Sequence, residues 1–141
     1  MLVPPFLEDS GSLGGILSAR VATKLHLGLV EPSRNIGSVI EDVMLIFVYA
    51  VPVFLLLGVS ADIAAAVAHL HSPGALAMIA VSLLAGMVAT TFAVLVGYYG
   101  AVATFRLGMD PDSHGIPIVC SSLDLFGAVS LILVIVALGL T

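Results

Sequence analysis

The chain has 141 residues, 60% hydrophobic and 9% charged, with a mean hydropathy of +1.24. Soluble domains carry about 25% charged residues, so this composition excludes an ordinary soluble domain and points to a membrane protein of one domain, residues 1–141. Nine acids against four bases, a formal charge of −5, exclude nucleic acid as a partner, because phosphate binding needs clustered Lys and Arg.

The first residues show no basic, apolar leader: Pro4 and Pro5 precede Glu8 and Asp9. Gly11, Gly14 and Gly15 follow. Two readings suit this stretch. Prolines and glycines at membrane depth loosen a helix and free backbone carbonyls, which are hard oxygen ligands for Mg²⁺ or Ca²⁺. Alternatively it is a solvated loop capped at Ser10 or Ser12. A helix is predicted over residues 12–28, rich in Gly, Ser and Ala and carrying Arg20, Lys24 and His26. It reads as the second half of a membrane helix emerging into water. Three later segments reach the ~20 apolar residues that cross a bilayer: residues 39–59, opened by Glu41 and Asp42; residues 75–105; and residues 116–140. Pro52 falls inside the first of these and is placed to kink it. The second carries small residues at helical spacing, Gly86, Ala89 or Thr90, Ala93, Gly97 and Gly100, a pattern that lets membrane helices approach closely. The fold class is therefore all-α: a polytopic membrane helix bundle of three full spans plus the second half of an N-terminal membrane helix.

The bases set an expected topology. Arg20, Lys24 and Arg34 precede the first full span, Arg106 follows the second, and residues 60–74 hold neither Lys nor Arg. The positive-inside rule then makes residues 20–38 and 106–115 cytoplasmic, with residues 60–74 and the C-terminus outside the cell membrane. Glu41 and Asp42 suit the positive end of a helix dipole or a cation entrance. Asp110, Asp112 and His114 suit a turn, given Asp110-Pro111-Asp112-Ser113, or the attraction of cations to the mouth. His69 and His71 fall in the outer loop, and no His, Cys and acid spacing describes a zinc site.

Asp124 is the one charge in residues 116–140. Ionised groups at membrane depth are costly and usually face a protein interior or a water path. Ser121 lies three residues before it, Gly127 three after, Cys120 four before and Ala128 four after. A helix would thus present one acid to a narrow polar lumen. Its alternative is a helix–helix hydrogen bond to a partner subunit in a protein that transports nothing. The spans hold no Ser–His, paired Asp or His-rich arrangement for an intramembrane hydrolase, so neither an enzyme nor a resident cofactor is expected.

Two runs carry a resemblance. Pro4-Pro5-Phe6-Leu7-Glu8-Asp9-Ser10-Gly11-Ser12-Leu13-Gly14-Gly15-Ile16-Leu17-Ser18-Ala19-Arg20, followed by Leu25-His26-Leu27-Gly28, resembles the membrane domain of MgtE-type magnesium channels. The similarity is strongest to small archaeal-type members and to the related animal solute-carrier magnesium transporters. Asp110-Pro111-Asp112-Ser113-His114-Gly115-Ile116-Pro117, then Ser121-Ser122-Leu123-Asp124-Leu125-Phe126-Gly127, resembles the Asp/Asn-Pro, Pro, Ser/Thr-x-x-Asp-x-x-Gly pattern of the family's last helix. The resemblance implies a five-helix unit that dimerises in the lipid bilayer. It implies a pore on the two-fold axis, lined by the helices that match the N-terminal and C-terminal helices here. Asp124 matches the pore carboxylate that contacts hydrated Mg²⁺. The cation-binding residues expected on these combined grounds are Asp124, Ser121, Glu8, Asp9 and Gly11, with Mg²⁺ or another divalent cation as the transported species. The family's cytoplasmic sensor domains have no counterpart in this sequence, and Met1 aligns with the middle of the family's second helix.

Overall fold

The computed structural model describes residues 2–29, 37–70 and 74–139. Arg34 and His71 lie outside the described residues, as does the side chain of Asp112. The elements in order are α1 (Val3–His26), α2 (Gly37–Val67), α3 (Ala75–Arg106), a π-helical turn (Pro111–Gly115) and α4 (Ile116–Ala137).

The first helix starts nine residues earlier than residue 12, because Pro4 and Pro5 fall in its first turn. The first N–H groups of any helix lack intrahelical partners, so proline loses nothing there. Glu8, Asp9 and Gly11 are therefore helical, and the carbonyls from Gly11 to Gly15 belong to a regular helix. Neither the loosened segment nor the capped loop is found. At about 1.5 Å per residue, the 24 residues of α1 reach ~36 Å. The helix stops where Gly28 takes a left-handed φ of 68°, with Gly28 N–H bonded to Leu25 O and Leu29 N–H to Lys24 O. Gly108 ends α3 in the same way.

The second helix runs on through Ser60 and Asp62 to Val67, so residues 60–67 of the expected outer loop over residues 60–74 are helical. Pro52 lies inside it. Three stretches, Val39–Val67, Ala75–Arg106 and Ser113–Ala137, are long and apolar enough to cross a membrane. Their outward faces are apolar: Leu56 is 65% exposed and Leu133 is 61% exposed. Such faces need lipid or another protein against them.

The third helix is the hub, packed against α1, α2 and α4. Its small-residue seam serves all three neighbours. A Cβ added at Gly86 would lie 2.3 Å from the Phe54 ring of α2, one at Gly97 would lie 2.9 Å from Gly14 O of α1, and one at Gly100 would lie 2.7 Å from Val119 Cγ2 of α4. Phe6 and Phe54, both fully buried, meet with ring centroids 5.2 Å apart. Ser82 of α3 donates to Phe54 O at 2.6 Å, a buried bond between helices. The Thr90 and Thr104 hydroxyls bond back to Gly86 O and Gly100 O, so their burial leaves no donor unmet.

Candidate cation site

The first and last helices run antiparallel. Gly15 lies beside Ile116 and Cys120, Gly11 beside Asp124, and Gly127 beside Leu7 and Ser10. Glycine on both helices allows the approach. A Cβ added at Gly14 would come within 2.1 Å of Leu123 Cδ1, and one at Gly127 within 3.0 Å of Ser10 Oγ.

Asp124 projects from the outward face of α4 and is exposed. Its Oδ1 would sit 3.8 Å from a Cβ placed on Gly11. Among the described residues no base pairs with it. Ser121, one turn earlier, is exposed on the same face. Its hydroxyl donates to Pro117 O at 2.8 Å, which leaves its lone pairs free to accept from water. Cys120 turns inward, its thiol donating to Gly11 O at 3.7 Å. The Gly11 carbonyl thus faces the Cys120–Asp124 side of α4 without leaving the helix.

Glu8 is exposed and lies one turn before Gly11 on α1. The structure brings Asp124, Ser121 and Gly11 together, with Glu8 one turn along. It sets Asp9 apart. Asp9 borders a groove of about 390 Å³ lined by Val53, Leu56, Leu57 and Ser60 of α2, away from the α4 face. No cluster of three or more His, Cys, Asp or Glu side chains occurs among the described residues. An ion here would therefore be held largely through water. That suits Mg²⁺, which gives up its hydration shell reluctantly.

The acids near the basic end divide in a way the sequence did not show. Glu41 is exposed, but Asp42 is 1% exposed. Arg20 Nε lies 2.8 Å from Asp42 Oδ1 and Lys24 Nζ lies 2.5 Å from Oδ2. Asp42 is neither a helix-dipole acid nor a cation entrance; its charge is consumed by two bases of α1. The available signal was the i, i+4 pair of cations on a helix otherwise poor in charge. Asp110 accepts a hydrogen bond from Ser113 in the π-helical turn, so the turn reading of this segment holds.

Of the two carboxylates in apolar helices, Asp42 is neutralised by Arg20 and Lys24, and Asp124 is left facing outward. The sequence matches the model of a family described as MgtE, divalent cation transporter, over residues 3–134. Neither the curated proteins nor the solved structures hold a significant match to the chain. Matched along nearly its whole length, the chain belongs to the MgtE divalent cation transporter family, and its apolar helices make it a multi-pass membrane protein.

Proposed function

We propose that the chain carries divalent cations, Mg²⁺ foremost, along the two-fold axis of a homodimer, with α1 and α4 of each copy facing that axis. The observation that carries this reading is the Asp124 carboxylate. It stands on the outward face of α4, beside the glycine face of α1, with no counter-charge among the described residues. Two such carboxylates facing each other would repel unless a cation lies between them. The ion stays hydrated and is held through water by Asp124, the Ser121 hydroxyl and, nearer the end of α1, Glu8. The membrane potential supplies the drive: about 2.3 kcal/mol per unit charge per 100 mV gives a divalent ion ~4.6 kcal/mol. The end carrying Arg20, Lys24 and Arg106 is cytoplasmic in this reading. There Glu41 and Asp110 enrich cations by their field, an effect that salt weakens.

Reconstitution in liposomes with a fluorescent Mg²⁺ indicator inside tests the role of the carboxylate. Asp124→Asn keeps the shape and removes the charge, and its initial uptake rate should fall at least about tenfold, the loss of ~1.4 kcal/mol. Asp124→Ala should be no better than Asp124→Asn. Wild-type uptake in Asp124→Asn would remove Asp124 from the pathway.

A further inference from the structure

Two contacts mark the ends of the junction between the first helix and α2. Near the N-terminus of α1 Phe6 packs against Phe54. Near its C-terminus Arg20 and Lys24 grip Asp42, one base on each carboxylate oxygen. Between them, at Asp9, the two helices part around a groove of about 390 Å³. Of the two, the ionic contact is the one that ties the basic half of α1 to α2; the same half also packs on α3, where Leu17 faces Gly97 and the His26 ring meets Phe105. Asp42 is 1% exposed, while the side chains of Arg20 and Lys24 are 47% and 24% exposed. The bases can turn to water if released; the carboxylate cannot.

We propose that Asp42 is a positioning residue for the cation pathway: by clamping Arg20 and Lys24 it holds the basic half of α1 on α2 and so fixes where the Gly11–Gly15 face lies against Cys120 and Asp124. Its consequence for flux rests on the proposed function; the geometric part does not. Removing one partner of a buried ion pair leaves the remaining charges uncompensated, a strong perturbation. Loss of the contact from either side releases the basic half of α1 from α2, and the glycine face shifts on α4.

Cys120 reports that movement. It is the chain's one cysteine. Its sulfur lies 3.7 Å from Gly11 O and would lie 3.7 Å from a Cβ on Gly15. The thiol is half-buried, and movement of α1 away from it uncovers it further. The test measures the rate at which N-ethylmaleimide modifies Cys120 in the purified full chain. Asp42→Asn, which keeps the volume but not the charge, should speed modification about tenfold, a change of ~1.4 kcal/mol in the opening equilibrium. The double variant R20Q/K24Q should do the same from the other side of the contact. It decides the matter if Asp42→Asn fails to fold. Asp42→Glu keeps the charge and should stay near the wild-type rate. A role in filling space would give the opposite order, Asn tolerated and Glu not. Wild-type labelling in a folded Asp42→Asn or R20Q/K24Q protein would overturn the proposal, as would Asp42→Glu labelling as fast as Asp42→Asn. Labelling needs no transport, so its failure is separate from failure of the Asp124 flux test.

Discussion

Asp124 and Asp42 are both carboxylates in apolar helices, and the fold treats them oppositely. Asp42 is buried and shared by two bases; Asp124 is exposed and has none among the described residues. Asp124 was legible in the sequence because a lone charge in an apolar run stands out whatever packs around it. The Asp42 contact was not, since it joins positions 22 residues apart and depends on how two helices meet. Two glycines, Gly97 of the α3 seam and Gly11 of the site, separate packing from function in the same way. Gly97→Ala would place its Cβ 2.9 Å from the Gly14 carbonyl, a backbone atom that cannot yield. It should cost about 1–3 kcal/mol, read as a lower thermal midpoint in detergent. Gly11→Ala would bring its Cβ only to ordinary contact, 3.8 Å from Asp124 Oδ1. It should leave the midpoint unchanged or slightly raised, because alanine favours helix. Mg²⁺ uptake should still fall, because a methyl group then stands beside the carboxylate.

At the scale of elements, hydropathy located the spans but not the helix ends. Residues 39–59 mark the apolar part of α2, yet the helix continues to Val67. Ala61, Ala64, Ala65 and Ala66 favour helix as strongly as any apolar residue. Pro4 and Pro5 read as breakers and proved to be first-turn residues. What separates those cases is position within the helix, which the residue type alone does not give. The small-residue seam of α3 was legible, because close helix approach demands small side chains at that spacing; which neighbour each glycine meets was not. The buried bond from Ser82 to Phe54 O makes a prediction for the α2–α3 contact. Ser82→Ala should destabilise the protein by about 0.6–2 kcal/mol, the range for polar contacts between membrane helices, without changing transport per folded molecule. Unfolding followed by circular dichroism beside uptake by the same preparation checks both halves.

For the whole molecule, the described bases gather at one end. Arg20 and Lys24 meet Asp42 there, and His26 lies edge-on to Phe105, next to Arg106, at 5.2 Å between centroids. The proposed orientation puts this end in the cytoplasm. On a background of Cys120→Ser, a cysteine at Ala68 should react with a membrane-impermeant maleimide in intact cells. One at Leu107 should react only after permeabilisation, and the reverse pattern would invert the topology. The helix count and the basic asymmetry came through from sequence because both follow composition; the pairing of α1 with α4 needed the folded chain. The pathway proposed for this molecule carries a divalent ion past Asp124 by charge. Liposomes held at −100 mV inside by a K⁺ diffusion potential, with equal Mg²⁺ on both sides, test it most directly, since ~4.6 kcal/mol then favours entry. The wild-type protein should accumulate Mg²⁺ above the outside concentration and Asp124→Asn should not. Absence of potential-driven accumulation by the wild-type protein, or equal accumulation by Asp124→Asn, would contradict it.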